Sequence, residues 1–409
     1  MSRPTVCITG SGWVSALGND TASFDAALFA GRSAVRGETL QLPGAAPTRV
    51  PIARCTFDEA TQRAPSRLPL DRGSAMALAA AEAAADSAQW HSGSGDPERL
   101  GVFWGSGMGG AASFEAACAA VYADHKRLRP TTVVTSMPNA PLAELALRYG
   151  TRGAALGYAC ACASAAVAIG EALRALREGR LDVALVGGSE ALLAPGVIGA
   201  WQAMRVLAPA AGPAQDACRP FSADRAGFAL GEGAAALWLE TEAHARGRGV
   251  RWRSTLAGYA NNCDAQHMTQ PHPDGQARAM HAALRDAGLL PADIGHVNAH
   301  GTATTAGDAA EAQSLKRVFG ATPPAVTASK AIMGHLLGAG GALELVATLR
   351  ALEHGAAPPT AHVETVDAAF DIDLVRGPAR ALPGLRHAMS NSFAFGGTNA
   401  VLVVSKADA

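Results

Sequence analysis

Two cysteines lie close together in a segment that could support nucleophilic chemistry. Cys160 and Cys162 fall where a short apolar strand ends and an alanine-rich helix begins, around Cys162. A thiol at the start of a helix sits near the positive end of the helix dipole, which favours the nucleophilic thiolate. Most free cysteines, however, are small buried apolar residues, and position alone favours this structural interpretation.

A histidine follows a predicted strand further along the chain, in the segment Asn298–Thr304. Because ligands bind at the carboxyl ends of strands in open α/β sheets, His300 in its glycine turn is a candidate for chemistry. Thr302 and Thr304 offer two hydroxyl groups on one side of an extended segment, which suits a polar ligand arm. Structural turn-forming roles for these three residues are the alternative.

A lysine, a second histidine and a glutamate lie in a glycine-rich apolar segment, Ser329–Glu344. Buried Lys and Glu side chains are costly unless they are paired, so Lys330 needs an acidic partner. Asp308 and Glu311, just after the first histidine motif, are the candidate partners. A structural ion pair is a fair account of Lys330, but it is a weaker account of His335, which precedes an apolar helix.

Two aromatic residues stand before a Gly-Gly pair near the C-terminus, in the segment Ser390–Asn399. Phe393 and Phe395, in front of Gly396 and Gly397, predict a hinged loop that carries a hydrophobic lid. Ordinary core aromatics before a turn are the structural alternative for this segment.

The elements that must position these side chains alternate between short β-branched strands and alanine-rich helices. This alternation indicates an α/β fold with buried, largely parallel strands. The expected strands are Val6–Thr9, Leu100–Trp104, Ala154–Ala159, Val183–Val186 and Ile294–Asn298, and the expected helices are Thr21–Ala30, Gly73–Gln89, Ser164–Arg177 and Ala277–Ala287. A helix, a strand and a glycine turn follow one another at Gly105 and again, almost half the chain later, at Gly301. The repeat suggests an internal duplication, with a chance likeness between common α/β elements as the alternative.

Composition and charge exclude several classes of protein. The 409-residue chain has 34 Lys and Arg residues against 35 Asp and Glu, which argues against a general nucleic-acid binder. No apolar run is long enough for a membrane-spanning helix, and the N-terminus lacks the features of a secretory signal. Seven scattered cysteines fit neither a disulfide framework nor a zinc site with CxxC spacing. A reducing cytosol is therefore expected.

Two glycine-containing motifs are set aside. Gly10-Ser11-Gly12 follows a strand, but Ser15 stands where a dinucleotide-binding fingerprint needs its third Gly or Ala. The segment 187–189, Gly-Gly-Ser, does not complete a Gly-x-Ser-x-Gly nucleophile elbow. The sequence thus predicts neither a Rossmann site nor a serine hydrolase.

Taken in order, the four motifs resemble those of the elongating β-ketoacyl-acyl-carrier-protein synthases of the thiolase superfamily. The likeness runs from Val6 nearly to the C-terminus and includes Gly105–Gly110 and Arg219–Gly233. It implies a thiolase-like α-β-α-β-α sandwich of two duplicated halves with mostly parallel or mixed sheets. The half 1–250 carries the nucleophilic cysteine, and the half 251–409 carries both histidines and the gating loop. The resemblance also implies a cytoplasmic homodimer that works with an acyl carrier protein, without a metal and without a cofactor beyond the carrier's phosphopantetheine.

The resemblance also implies roles for individual residues. The family's nucleophile lies seven residues before an Ile-Gly pair, which places it at Cys162 and not at Cys160. His300 and His335 match the two active-site histidines, and Lys330 matches the lysine behind them. The further matches are Asp308, Glu311 and Glu344 as acidic support, Thr302 and Thr304 at the phosphopantetheine, Phe393 at the substrate, Phe395 as the gating residue, Asp264 and His267 in a second gating loop at Asp264–Pro271, and Met108 at the limit of the acyl pocket.

The chemistry implied by the resemblance is a decarboxylative condensation. The cysteine takes an acyl group from a carrier thioester, with an oxyanion hole formed by the backbone N–H groups of Cys162 and Phe395. Malonyl thioester then loses carbon dioxide, and N–H donors of two imidazoles stabilise the enolate. The product is a 3-oxoacyl thioester extended by two carbons, in fatty-acid or related polyene or polyketide synthesis.

Several positions bear on alternatives within and near this family. Ala394 stands where a glycine usually separates the gate aromatics, and Leu68 and Pro69 replace basic residues expected to meet the carrier protein. Other basic residues could compensate, namely Arg63, Arg67, Arg72, Lys126, Arg127 and Arg129. A thiolase would need a second cysteine near the C-terminus, and none follows Cys263. An initiating synthase would have Asn in place of His335. The alternative to a homodimeric enzyme is a chain-length partner, which usually lacks the nucleophile, or one active half of a heterodimeric synthase.

Overall fold

The computed structural model describes residues 3–42 and 44–407. Its strands are β1 (Val6–Val14), β2 (Arg36–Leu40), β3 (Thr48–Ala53), β4 (Leu100–Gly105), β5 (Ala155–Tyr158), β6 (Val183–Glu190), β7 (Leu230–Gly231), β8 (Gly233–Thr241), β9 (Ser254–Cys263), β10 (His296–Asn298), β11 (Ala325–Thr327), β12 (Ala356–Ala357), β13 (Asp373–Leu374), β14 (Arg380–Ala381), β15 (His387–Phe393) and β16 (Thr398–Lys406). Its helices are α1 (Thr21–Phe29), α2 (Arg72–Ser87), α3 (Ala111–Tyr122), α4 (Thr132–Ser136), α5 (Ala140–Tyr149), α6 (Ser164–Arg177), α7 (Pro195–Ala203), α8 (Glu242–Gly247), α9 (Pro273–Ala287), α10 (Thr305–Phe319), α11 (Lys330–Met333) and α12 (Gly340–His354). Within these described ranges, no helix has both the length and the apolar character needed to cross a membrane.

One large sheet carries the site. Its strand order is β13-β11-β10-β15-β16-β9-β1-β8-β6-β4-β5. The strands from β15 to β6 pair antiparallel, whereas the neighbours toward both edges pair parallel. The expectation of largely parallel strands is therefore corrected to a mixed sheet. Strands covered by helices on both faces are apolar in either arrangement, so their sequences do not reveal strand direction.

The sheet has an internal symmetry about the junction of β1 and β9. These two strands share only two residue pairs, Cys7 with Thr255 and Ile8 with Ser254. Outward from this junction, both series, β1-β8-β6-β4-β5 and β9-β16-β15-β10-β11, have two antiparallel pairings followed by two parallel ones. Helix α2 precedes β4 as α9 precedes β10. The predicted duplication of two halves is confirmed.

Two helices in the middle of the molecule separate the halves of the sheet. Helix α6 contacts β4 and β6 on one side and β9 and β16 on the other, and α12 contacts β15, β10, β6 and β8. Helix α2 covers β1 and β8 from outside, and α9 covers β9 and β16. This arrangement is the predicted α-β-α-β-α sandwich, with its largest apolar cluster around α6 and α12.

The N-terminal glycine segment lies inside a strand, whereas the sequence analysis expected the strand to end at Thr9. Strand β1 continues through Gly10 and Gly12 to Val14. A Cβ on Gly10 would lie 2.3 Å from the carbonyl oxygen of Ala84, and one on Gly12 would lie 2.4 Å from that of Ala80. These glycines are therefore needed because α2 packs directly on the backbone of β1.

Gly105 offers a test of the packing that places the nucleophile segment. A Cβ on Gly105 would lie 2.3 Å from the backbone nitrogen of Ala165, in the first turn of α6. We expect Gly105→Ala to lower the free energy of unfolding by about 1–3 kcal/mol, because backbone atoms must move to make room. Urea denaturation followed by circular dichroism measures this change.

The control is Gly247→Ala, since a Cβ on Gly247 meets no atom within 4 Å. We expect this variant to stay within roughly 0.5 kcal/mol of the wild type, as surface substitutions usually do. Equal losses in the two variants would contradict the packing argument.

Candidate active site

Cys162 lies in the tight turn that joins β5 to α6. The turn Ala161–Ala163 is a 3₁₀ helix, and Ala161 has a left-handed φ of 46°. The Ser164 hydroxyl braces this turn by accepting a hydrogen bond from the Cys160 amide at 2.8 Å and donating one to the Ala161 carbonyl at 2.7 Å. Cys162 is buried and lines the central cavity, whereas Cys160 is half-buried and packs against the core.

Two imidazoles meet the thiol from the second half of the chain. His335 Nε2 lies 3.1 Å from Cys162 Sγ, and the rings of His300 and His335 are 5.5 Å apart between centroids. The Cys162 sulfur and one ring nitrogen from each of His300 and His335 all lie within 4.8 Å of one another. The three sequence motifs that contain Cys162, His300 and His335 therefore converge on one point.

Hydrogen bonds set the tautomer of both histidines. His335 Nδ1 accepts the Leu337 amide at 3.2 Å, and His300 Nδ1 accepts from Lys330 Nζ at 3.3 Å. A neutral imidazole that accepts at Nδ1 carries its hydrogen on Nε2. Both Nε2 atoms are therefore donors, and neither has a lone pair to offer a metal ion in this arrangement.

Burial controls the protonation of the three groups. It raises the pKa of the Cys162 thiol to about 11, although the nearby Lys330 ammonium opposes this shift. Burial, reinforced by Lys330, also holds the pKa of His300 and of His335 well below the usual range. The resting site therefore contains a thiol and two neutral imidazoles near pH 7. The helix dipole, which led the sequence argument toward a thiolate, is outweighed by desolvation.

Lys330 forms a buried ion pair with Glu344, and it also donates to the His300 carbonyl at 2.5 Å. The expectation that Asp308 or Glu311 would be its partner is wrong. Glu344 was expected only as general acidic support. It lies one turn into α12, where it faces the ammonium group, and burial raises its pKa to about 7.

Asp308 and Glu311 instead accept hydrogen bonds from backbone amides. Glu311 accepts the amides of His300 and Gly301 at 2.9 and 2.8 Å. Asp308 accepts the amides of Phe221 and Ala303, two non-glycine residues with left-handed φ values of 64° and 59°. Both carboxylates therefore fix the turn that presents His300, which explains why α10 carries them directly after it.

The two threonines line the cavity and also shape their own turn. Thr302 Oγ1 and Thr304 Oγ1 are 2.8 Å apart. Thr304 is the N-cap of α10 and accepts the Gly307 amide at 3.2 Å. The turn-forming interpretation is therefore confirmed for Thr304, and its contact with a ligand stays a prediction.

A cavity of about 210 Å³ connects these groups to the surface. The predicted site residues that line it are Cys162, His300, His335, Thr302, Thr304, Phe393, Phe395, Asp264, His267 and Glu311. Lys330, Asp308 and Glu344 lie behind this wall. Met108 is not part of the lining, and its side chain is 45% exposed. Its assignment to the acyl pocket stays a prediction.

The two predicted gating loops are tied together. The Gly396 amide donates to the Met268 carbonyl at 2.7 Å, and the Asp264 amide donates to the Gly397 carbonyl at 2.8 Å. The Asp264 carboxylate is buried and accepts the Asn399 side chain at 2.7 Å. His267 Nδ1 accepts amides within its own loop. In the structure, Asp264 thus positions the loops.

Sequence reasoning missed Glu190, a buried carboxyl beneath the site. It accepts the amides of Gly107 at 2.6 Å, Met108 at 3.2 Å and Gly338 at 3.0 Å, and the Ser106 hydroxyl at 3.0 Å. It thereby joins the loop after β4 to the turn after His335. The available signal was an acidic residue at the carboxyl end of a buried strand, directly after the Gly-Gly-Ser segment 187–189.

Two family models match the chain. The β-ketoacyl synthase N-terminal domain matches residues 3–245, and the C-terminal domain matches residues 253–364. Nodulation protein E of Rhizobium meliloti (strain 1021) is 39% identical over 97% of this chain and 98% of that protein. A 3-oxoacyl-[acyl-carrier-protein] synthase 2 of Coxiella burnetii is 35% identical over 99% of both chains.

Solved structures agree with the family models. The ishigamide ketosynthase/chain length factor superimposes with a TM-score of 0.90 at 30% identity, over 100% of both chains. A type II PKS ketosynthase solved with its acyl-carrier protein superimposes with a TM-score of 0.89 at 28% identity, over 99% of this chain and 100% of that one. The chain belongs to the β-ketoacyl synthase family. It is an acyltransferase, and its active site is of the Cys-His-His kind.

Glu190 gives a testable pH dependence. Burial outweighs its four hydrogen bonds and raises its pKa from 4.5 to about 7. Between pH 4.5 and about 7, Glu190 is deprotonated in the unfolded chain but still protonated in the folded protein. Rising pH in this range therefore favours unfolding. Relative to Glu190→Gln, the wild type should therefore lose stability between about pH 4.5 and 7, on the order of 1–3 kcal/mol.

Urea titrations of both proteins at several pH values measure this difference. Glu98→Gln, at an exposed glutamate, is the matched control and should leave the pH profile of the wild type unchanged. Parallel stability profiles for the wild type and Glu190→Gln would refute the assignment.

Proposed function

We propose that the protein condenses an acyl group held on Cys162 with malonyl-acyl-carrier-protein, releases carbon dioxide and forms a 3-oxoacyl-carrier-protein extended by two carbons. The observation that carries this proposal is the contact between His335 Nε2–H and Cys162 Sγ at 3.1 Å, with a second N–H donor on His300 beside it. A thiol nucleophile and two converging neutral donors are what the two steps of this reaction require.

The first step transfers the acyl group. The Cys162 sulfur attacks the thioester carbonyl, the bond to the carrier sulfur breaks, and the thiol proton ends on the released carrier thiol. Because the resting thiol is neutral, the hydrogen bond from His335 Nε2–H stabilises the negative charge that grows on sulfur. The backbone amides of Cys162 and Phe395 serve as the oxyanion hole.

The second step forms the new carbon–carbon bond. Malonyl thioester loses carbon dioxide, and its thioester oxygen becomes the negative oxygen of an enolate. The Nε2–H groups of His300 and His335 donate to that oxygen. The enolate carbon attacks the acyl carbonyl on Cys162, the bond from that carbonyl to sulfur breaks, and the released sulfur takes up a proton from water. Lys330 acts as a positioning residue, since its bonds to Nδ1 and to the carbonyl of His300 fix that ring.

The partner that delivers both thioesters is an acyl carrier protein, with its phosphopantetheine arm along Thr302 and Thr304. Of the basic residues considered for docking, Arg72 is committed to the buried Glu232. Lys126, Arg127 and Arg129 line one surface groove and remain as docking residues for an acidic carrier. No other cofactor and no metal are needed for this chemistry.

The exposed side of the sheet supports a dimer. Strand β5 is an edge strand, and its residues Ala155–Gly157 are exposed. Leu156 in β5 and Leu147 shortly before it are exposed apolar side chains, and the segment 108–134 adds Met108, Phe114, Val133 and Val134. An open strand edge with apolar neighbours is a typical surface for association. We propose a homodimer, or a heterodimer with a related subunit as in the ishigamide ketosynthase/chain length factor.

A chain-length partner without condensing activity is the second candidate function, and the intact cluster of Cys162, His300 and His335 disfavours it. The pathway is fatty-acid synthesis or a related polyene or polyketide synthesis. All seven cysteines are free thiols in the described chain, which supports a reducing compartment such as the cytosol.

Loss of the thiol tests the first step. We expect Cys162→Ala to abolish the covalent acyl adduct, because no other side chain lining the cavity is a comparable nucleophile. Intact-mass analysis after incubation with an acyl-carrier thioester measures the adduct. Cys160→Ala is the matched control and should keep it. An adduct that disappears with Cys160 and survives without Cys162 would overturn the assignment.

Loss of either imidazole tests the second step. We expect His300→Ala and His335→Ala to keep the acyl adduct but to slow decarboxylation of malonyl carrier by about 10²–10³-fold, as for the loss of one oxyanion donor. Release of carbon dioxide from labelled malonyl carrier measures the rate. His91→Ala, on the surface, is the control. Full decarboxylation by both variants is the result that rules out the enolate role.

A further inference from the structure

A continuous series of aromatic contacts runs from the gate to the active site. The rings of Phe395 and Trp201 stack with centroids 6.2 Å apart at 26°. Trp201 meets Phe228 edge-on at 5.7 Å, and Phe228 meets the His335 imidazole edge-on at 5.0 Å. The gating phenylalanine therefore reaches His335 through only two intervening rings.

All four of these residues line the same cavity as Cys162. The series also continues beyond His335, since His300 lies 5.5 Å from His335 and 6.2 Å from Phe393 between ring centroids. Phe393 and Phe395 belong to the same segment. The aromatic contacts thus surround the space in front of the thiol, and Trp201 is the member that joins the gate to the far wall.

Trp201 lies on a helix, whereas Phe395 lies on a loop that is held by backbone hydrogen bonds to the second loop. Trp201 belongs to helix α7, whose residues Val197 and Ile198 are buried. The Glu115 carboxylate holds the start of this helix by accepting hydrogen bonds from the amides of Gly196 and Val197 at 2.8 and 3.1 Å. Phe395 precedes two glycines, at 396 and 397, with left-handed φ values of 85° and 78°. Once the backbone bonds of Gly396 and Gly397 to the second loop open, these glycines give the loop access to other conformations, so the ring of Trp201 is the fixed surface on which the gate rests.

We propose that Trp201 is a positioning residue that holds Phe395 over the cavity and thereby limits the size of the groups that reach Cys162. That this size limit selects among acyl groups rests on the proposed function. An offset-stacked aromatic pair shifts an equilibrium by roughly two- to tenfold, so removing the indole should raise the population of the displaced gate by that factor.

The experiment measures the access of reagents of two sizes to Cys162. The full-length protein is treated with iodoacetamide or with a bulky fluorescein maleimide, and the rate at Cys162 is read by peptide mass spectrometry. We expect Trp201→Ala to raise the ratio of the bulky rate to the small rate by roughly two- to tenfold. Trp201→Phe keeps a stacking ring and should stay close to the wild type.

Trp252→Ala is the matched control. Like Trp201, Trp252 is half-buried and packs against another side chain, since the Arg246 guanidinium carbon lies 5.4 Å from its ring centroid. Trp252 does not line the cavity. This variant should leave the ratio unchanged. An unchanged or lowered ratio in Trp201→Ala, or the same rise in Trp252→Ala, would overturn the proposal.

A double variant separates a direct effect on the gate from general loosening. If Trp201 acts through Phe395, then adding Trp201→Ala to Phe395→Ala should change the ratio no further. Independent, multiplying effects of the two substitutions would contradict the proposal. Circular dichroism on each variant verifies that it is folded.

Failure of this inference is distinguishable from failure of the proposed function. Alkylation needs only a reachable thiol and no acyl chemistry, so its size dependence reports on Trp201 even if the wild type condenses nothing. In the condensation assay, Trp201→Ala should load bulkier acyl groups than the wild type does. An unchanged acyl range, with an altered alkylation ratio, would overturn the part of the inference that concerns selection.

Discussion

The hydrogen bond from the buried Lys330 ammonium group to Nδ1 of His300 is the interaction on which the site depends. It leaves the Nε2 hydrogen of His300 directed away from the lysine. Burial holds the pKa of both imidazoles low, and the positive charge of Lys330 reinforces this shift. A buried ammonium group is costly, and Glu344 offsets that cost as its ion-pair partner. The pair thus keeps two neutral donors beside a thiol in a buried site.

The duplicated fold brings these groups together because each half places its group just before a helix of the buried middle layer. The first half contributes Cys162 at the start of α6, and the second contributes His335 just before α12. These two helices are neighbours in the buried middle layer, so their approaching ends meet. Small residues make that approach possible, as at Gly341, where a Cβ would lie 2.9 Å from the Ala166 side chain.

Buried carboxylates do the further work of holding strained turns. Asp308, Glu311 and Glu190 each accept backbone amides from loops that carry or adjoin active side chains. Residues in left-handed conformations are stable only where their surroundings determine them. Desolvation raises the pKa of these acids, so hydrogen bonds to them maintain the geometry at an electrostatic cost. This explains why acids gather around a site whose chemistry needs none of them to transfer protons.

The sequence by itself predicted several of the strands and helices, suggested the duplication and identified the reactive side chains Cys162, His300 and His335. Local pattern carries that information, since α6 begins and ends where the sequence placed it and the four motifs each lie at a strand end or turn. Tertiary structure alone decided strand direction, the pairing of Lys330 with Glu344, and the contacts that Glu190 and Trp201 make. These depend on distances between residues far apart in the chain, and on burial, which overturned the thiolate expected from the helix dipole. Neither quantity is written in local spacing, because both arise only when separate elements pack together.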